Sequence, residues 1–183
     1  MKLFLSFFLF TTAVYGQTWT AEELAAANTF ETITDLSAAE KETFKYLNLA
    51  RMYPAKYAKI ELVNEDKTSD NYKSLIKTLN AMVPVSALTF DKKAFESATC
   101  FAKEQGLTTE IGHDRKNCKS YFFGECCAYG SDTGREVIVQ LLIDEGVESL
   151  GHRKICLSSA YSAVGIAFNT HKTYGFCCVL DFI

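Results

Sequence analysis

Apolar positions recur three and four apart over most of the first 145 residues, and the helices they predict have recognisable ends. Phe44, Leu47 and Ala50, with Arg51 beside them, predict an amphipathic helix over 38–52 that stops at Pro54. Ser37-Ala-Ala-Glu40 has the form of a capping box at its start, and Thr20-Ala-Glu-Glu23 repeats that signature before a shorter helix. Tyr57 and Ile60 extend a further turn beyond the proline, and the polar stretch 64–71 reads as a loop. Tyr72, Leu75, Ile76 and Leu79 form a helical stripe that ends before Pro84. Asp91 reads as the N-cap of a helix carrying Phe95, Ala98, Thr99 and Ala102, closed by Gly106. Residues 112–130, rich in Gly, Cys and aromatics, read as irregular. Thr133 to Asp144 is helical again, with Ser131 or Asp132 as cap.

Near the C-terminus the period changes. Tyr161 to Phe168 and Thr173 to Phe182 are rich in Val, Ile, Phe and Tyr, and Asn169-Thr-His-Lys172 joins them, which is a hairpin signal. The pattern contains no repeat and no low-complexity linker. It predicts an α+β domain over 37–183, helices packed on a small antiparallel sheet, preceded by a polar lead-in over 17–36.

The N-terminus adds a compartment. Met1-Lys2 precedes the apolar run Leu3 to Phe10, and Val14 and Gly16 fit the small-residue positions of a signal-peptidase site. Residues 1–16 therefore read as a signal peptide cleaved before Gln17. The run is well short of the roughly 20 apolar residues of a membrane anchor, and no other segment predicts a membrane span. The expected localisation is secreted, extracellular. A formal charge of −3 with no basic run argues against nucleic acid as a partner. All seven cysteines, Cys100, Cys118, Cys126, Cys127, Cys156, Cys177 and Cys178, lie in the second half, and in an exported chain they point to disulfides rather than to a zinc ribbon. An odd count leaves one unpaired or joined to another chain. The adjacent pairs are expected to send each member to a different partner.

Candidate chemistry is confined to a few side chains. His113 and His152 each follow a glycine, and Glu125 follows Gly124, while Asp144 and Glu145 end the following helix. Two imidazoles with carboxylates form a ligand set for zinc or a similar divalent ion, and would serve equally as an acid–base set. Solvated loop histidines and a helix-end carboxylate give the same sequence, since no HExxH ties the residues together. There is no GxSxG, and Cys126 or Cys127 near His113 reads as disulfide chemistry rather than as a nucleophile. His171, in the expected hairpin turn, is set aside.

From Ala39 to Phe182 the chain resembles the CAP superfamily of cysteine-rich secretory proteins, antigen 5 and pathogenesis-related proteins. Tyr46 to Ala58 is similar to the family's first helix, in which an asparagine and an arginine precede a proline. Leu88-Thr-Phe-Asp91 resembles the lead into the second core helix, and Ile111-Gly-His113 the histidine motif. Gly124-Glu125 followed by Ala128-Tyr129-Gly130 resembles Gly-Glu-Asn-Ile-Ala-Tyr-Gly. Leu141 to Lys154 is similar to a short-loop version of the next motif, and Val164 to Phe168 and Tyr174 to Phe182 resemble the closing strands. Two departures stand out. Cys126-Cys127 replace Asn-Ile, and no cysteine-rich tail follows the last strand, so toxin-type activity is not implied.

The resemblance implies an α–β–α sandwich with the sheet between helical layers. It implies a cleft tetrad of His113, Glu125, Asp144 or Glu145, and His152, with His113 and His152 as metal ligands and zinc as the ion. It implies an extracellular protein that binds a sterol, another lipid or a protein partner. A settled catalytic activity is not implied. A metal-assisted hydrolase, with Glu125 as general base, is the alternative.

Overall fold

The computed structural model describes residues 18–183, so the expected signal peptide lies outside the described residues. Among the described residues there are seven helices and four strands. The helices are α1 (Ala21–Ala27), α2 (Ala38–Met52), α3 (Pro54–Ile60), α4 (Asp70–Ala81), α5 (Lys92–Gly106), α6 (Gly134–Ile143) and α7 (Gly151–Leu157). The strands are β1 (Thr89–Phe90), β2 (Gly124–Tyr129), β3 (Ala163–His171) and β4 (Gly175–Phe182), in sheet order β1-β3-β4-β2.

Local sequence chemistry accounts for most of the helix starts. Both capping boxes form: Thr20 with Glu23, and Ser37 with Glu40, each satisfy two otherwise unpaired backbone donors. Asp91 accepts from the Ala94 N–H at 2.8 Å, as its position predicts. The cap of α6 is Thr133 rather than Ser131 or Asp132, because it is Thr133 whose hydroxyl reaches the Glu136 N–H. Helix α7 has no N-cap hydrogen bond, and its cap residue, Leu150, is left-handed with φ 51°. With no Ser, Asp or Asn marking its start, the sequence pattern passes over it.

The sheet differs from the expectation in three respects. It is mixed, not wholly antiparallel, because the two-residue β1 pairs parallel with β3. β3 and β4 form the expected hairpin, but β3 runs on to His171 and the turn is Lys172 to Tyr174. The stretch read as irregular contains β2, which pairs antiparallel with β4 from Gly124↔Phe182 to Tyr129↔Cys177.

Strand alternation splits the buried apolar residues into two clusters. Cys126, Ala128, Val164, Ile166, Cys178 and Leu180 pack with side chains of α1 to α4, α6 and α7. Cys127, Ala167, Cys177 and Val179 pack with Ala98, Phe101 and Ala102 of α5. Cys126 and Cys127 therefore diverge to opposite faces, as do Cys177 and Cys178, in keeping with the two-residue period of a strand. The expected disulfides from these pairs do not form. One bridge, Cys100–Cys118, is present, and Cys126, Cys127, Cys156, Cys177 and Cys178 are free and buried. Burial pushes the thiols of Cys126, Cys127 and Cys178 well up, and that of Cys177 to about 11.

The lead-in is packed into the domain. Phe30 is fully buried with its ring 4.0 Å from that of Phe44, and Trp19 donates from Nε1 to Glu61 at 2.6 Å. Two buried polar residues of α2 tie distant segments together. Asn48 accepts from the Leu88 N–H at 2.8 Å and donates to the carbonyls of Ala27 and Leu88. Arg51 donates to the carbonyls of Ser86, Cys156, Ser158 and Tyr161, at 3.1, 2.9, 2.7 and 3.3 Å. Buried carbonyls need such partners, so this arginine fixes the chain that leaves α7.

Candidate functional site

His113 stands in the loop between α5 and β2, and Glu125 is the second residue of β2. The loop is fixed from beneath. Tyr129 Oη accepts from the Gly112 N–H at 2.9 Å, and Gln105 Nε2 donates to the Gly112 carbonyl at 2.6 Å. His113 Nδ1 is then 2.8 Å from Glu125 Oε1. The imidazole side chain is 53% exposed, whereas the carboxylate is 3% exposed.

The second histidine is held in the same way from another element. Asp144 ends α6 in a left-handed conformation, φ 60° and ψ 41°, which reverses the chain toward α7. His152 Nδ1 lies 2.7 Å from Asp144 Oδ1, and Asp144 Oδ2 accepts from the Arg153 N–H at 3.2 Å. Arg153 supports the turn by donating to the carbonyls of Leu142 and Ile143 at the end of α6, and to that of Asn71 on α4. Glu145 is exposed and accepts from the Ser69 hydroxyl at 2.7 Å, and it makes no hydrogen bond with His152. Of the two acidic residues left open by the sequence, Asp144 is the one that touches a histidine.

The two pairs face each other. The rings of His113 and His152 have centroids 6.3 Å apart, tilted by 41°. Among the described residues no Nε2 of either ring has a hydrogen-bond partner. A carboxylate on Nδ1 with Nε2 free is the arrangement that orients a metal-binding imidazole. His152, Asp144 and Glu145 line a cavity of about 470 Å³ together with Cys127, Tyr129 and Val139. His171, set aside from sequence, is buried at the far end of the sheet, its ring edge-on to Tyr129.

Three residues absent from the sequence expectation support Glu125. Arg115 donates to Glu125 Oε2 through Nε, at 3.0 Å, and through Nη2. The same Nη2 donates to both oxygens of Asp181, at 3.0 and 2.9 Å, and Nη1 donates to the Ser97 carbonyl at 3.1 Å. Ser97 Oγ is 2.6 Å from Asp181 Oδ2. The guanidinium lies between two rings, 4.3 Å from the Phe101 centroid and 4.9 Å from that of Phe122. The signal for Asp181 was a lone carboxylate inside the apolar strand Cys177 to Phe182. Arg115, in a loop of no predicted structure, gave none. Cys127 was assigned to a disulfide, yet its Sγ lies 3.8 Å from His113 Nδ1.

The charges in this cluster are set by burial and by Arg115. Burial pushes Glu125 up, but the hydrogen bonds from His113 and Arg115 outweigh it and leave the carboxyl below the usual range. Burial also pushes Asp181 up, to about 7, since one guanidinium is shared between two carboxylates. His113 is raised by its hydrogen bond to Glu125.

A group whose pKa rises on folding stabilises the fold in its protonated form. That contribution is complete below the unfolded value and is lost as pH climbs through the folded one. For Asp181 the window runs from about 4 to about 7, and His113 acts in the same direction above about 6.5. Glu125, depressed, has the opposite sign and loses its contribution only in more acid solution. Thermal unfolding should therefore occur at higher temperature at about pH 5 than at about pH 8. Asp181→Asn should flatten most of that rise. A parent protein equally stable at both pH values would show that Asp181 is not held neutral by the fold.

His113, Glu125 and Cys127 offer one nitrogen, one oxygen and one sulfur, all within 4.8 Å of one another, so this group could hold a metal ion. No helix of the described residues is long and apolar enough to cross a membrane. The chain matches no family model and no curated protein.

Proposed function

We propose that this chain is an extracellular binding protein of the CAP superfamily. In this reading its cleft takes a divalent ion, zinc first, on the Nε2 atoms of His113 and His152, and receives an apolar ligand such as a sterol or another lipid. The observation that carries the reading is the facing arrangement of two imidazole–carboxylate pairs, His113–Glu125 and His152–Asp144, across 6.3 Å beside an open cavity.

Three further features support it. Helical side chains pack on both faces of the sheet, as an α–β–α sandwich requires. Asn48 and Arg51, which the family resemblance singles out, are buried in tying roles. A second cavity of about 390 Å³ opens beside the His113 loop, with Phe101, Leu107 and Ile111 as its apolar residues. The apolar side chains form its floor among charged and polar neighbours such as Lys103, Glu110 and Asp114, an amphipathic concavity that suits a lipid with a polar group.

The hydrolase alternative is less well served. A general base works best with a pKa near the operating pH, and Glu125 is held below the usual range while Arg115 occupies one of its oxygens.

Equilibrium binding of radiolabelled cholesterol and of a fatty acid to the purified full chain tests the proposal. Saturable binding of at least one probe is expected, weakened by at least about tenfold by a chelator or by the double variant His113→Ala/His152→Ala, as loss of an ordering metal would produce. If neither probe binds and chelation changes nothing, the reading fails.

A further inference from the structure

We infer that Cys127 is a metal ligand, and that His113 Nδ1, Glu125 Oε1 and Cys127 Sγ form an inner donor set for zinc or another borderline-soft divalent ion. The inference rests on the reading of this cleft as a metal site, but it places the ion on His113 Nδ1 instead of Nε2, so the inner set and the outer Nε2 pair are alternative seats for one ion.

The placement follows from the backbone. Glu125 and Cys127 are two apart on β2, so both side chains leave the same face of the strand. Cys126, between them, leaves the opposite face, where its Sγ lies 3.8 Å from the His152 carbonyl. His113 then closes the group from the loop above. Nδ1 is 2.8 Å from Oε1 and 3.8 Å from Sγ, and no two of the three atoms are more than 4.8 Å apart. Around a tetrahedral zinc with bonds of about 2.0 to 2.3 Å, neighbouring donor atoms stand about 3.3 to 3.7 Å apart. The group needs to open by about half an ångström between nitrogen and oxygen, to close by less between nitrogen and sulfur, and to bring oxygen and sulfur, at most 4.8 Å apart, to a similar separation to accept the ion. A half-exposed imidazole can make that adjustment.

The hydrogen bonding points to the same oxygen. Arg115 occupies Glu125 Oε2, which leaves Oε1 as the free oxygen, now bonded to His113 Nδ1. A metal would stand where the proton of that hydrogen bond stands now. Binding deprotonates the thiol, and its proton is released to solvent with the one displaced from between imidazole and carboxylate. One nitrogen, one carboxylate and one thiolate then complete three positions, with the fourth open toward the cavity that Cys127 and His152 line. A thiolate in the set selects zinc, cobalt or cadmium over magnesium and calcium, which take oxygen donors.

Packing alone does not explain this thiol. Five free cysteines are buried, but among the described residues Cys127 is the one whose sulfur approaches both an imidazole nitrogen and a carboxylate. A purely structural small apolar residue has no need of either.

Cobalt(II) titration of the reduced full chain, followed by absorption, tests the assignment. A sulfur-to-cobalt charge-transfer band in the near ultraviolet should grow with the visible ligand-field bands and saturate at one ion per chain. Cys127→Ser and His113→Ala should each abolish the charge-transfer band, and His152→Ala should keep it. Zinc affinity by competition should fall in Cys127→Ser beyond the roughly 10- to 100-fold that loss of an outer-shell partner causes. His113 is half exposed, so His113→Ala remains an informative variant if Cys127→Ser does not fold. Ligand-field bands without charge transfer in the parent would overturn the inference and leave the outer pair standing. A charge-transfer band that survives Cys127→Ser would overturn it as well, by assigning the sulfur to another cysteine. No cobalt binding at all would remove both metal sites, while the lipid measurement would still report separately on the cavity.

Discussion

Arg115→Met should lower the stability of the protein by about 3–5 kcal/mol, an unfolding temperature on the order of 10 °C below the parent. Removing the guanidinium leaves Glu125, at 3% exposure, with only the half-exposed His113 beside it, and Asp181, at none, with no cation in contact. Breaking a buried ion pair from one side costs far more than its net worth, because the remaining charge stays out of water. Methionine keeps the contacts with Phe101 and Phe122, so the loss reports the charge rather than the volume. Arg115→Lys should recover only part of it, since an ammonium cannot serve Glu125, Asp181 and the Ser97 carbonyl in one plane. The triple variant Arg115→Met/Glu125→Gln/Asp181→Asn should be more stable than Arg115→Met alone, because nothing charged is then left buried. Thermal unfolding of the four proteins at one pH decides the matter. An Arg115→Met protein that melts within about 2 °C of the parent would mean the cluster is solvated in solution and carries no such tension.

The role of Arg115 also marks where sequence reading stopped. Helices α2, α4 and α5 were legible because their apolar stripes are long and their caps, Ser37 and Asp91, have side chains that chemistry identifies. The β3–β4 hairpin was legible from its change of period. β2 was not, since Gly124 to Tyr129 is buried along nearly its whole length and shows no alternation of apolar and polar residues. Nor was α7, whose start at Leu150 depends on a left-handed residue held by the turn at Asp144 rather than by a cap.

At the site, the histidines and Glu125 could be named from their glycines and from the family resemblance, and the choice between Asp144 and Glu145 could not. That choice is made by backbone geometry. The left-handed Asp144 turns its carboxylate to His152 and sends the next side chain outward to Ser69. Arg115 and Asp181 are 66 residues apart and meet only through the packing of a loop on β4. The cysteines misled for a related reason. Composition and an export signal argue for bridges, and the adjacent cysteines do diverge to opposite faces as expected, but each is buried without a second sulfur bonded to it.

Gly165→Ala should be as damaging as the loss of Arg115, although the residue touches no ligand. Gly165 is the third residue of β3, opposite Asp181, with the start of α5 pressed against it. A Cβ there would lie 2.0 Å from the Phe95 nitrogen, 2.2 Å from the Ala94 carbonyl carbon and 2.5 Å from the Phe95 Cα. All three atoms are backbone, so no side chain can swing away, and the helix itself must move off the sheet. Alanine in a strand is intrinsically better than glycine by about 0.5–1 kcal/mol. Overpacking of this kind costs about 1–3 kcal/mol and more where backbone must shift, so the loss prevails.

The consequence reaches the cleft through α5. Ser97 follows two residues after Phe95 and meets Asp181, while Phe101 lies one turn further and covers Arg115. Displacing the helix by an ångström loosens the whole support of Glu125. Gly165→Ala should therefore lower the unfolding temperature on the order of 10 °C and weaken zinc binding in the molecules that remain folded. Gly165→Val should not fold. Differential scanning calorimetry with zinc titration of the alanine variant provides the check. Parent-like melting would show that α5 is free to ride on β3, and parent-like zinc affinity in a destabilised protein would show that Glu125 does not depend on α5 for its position.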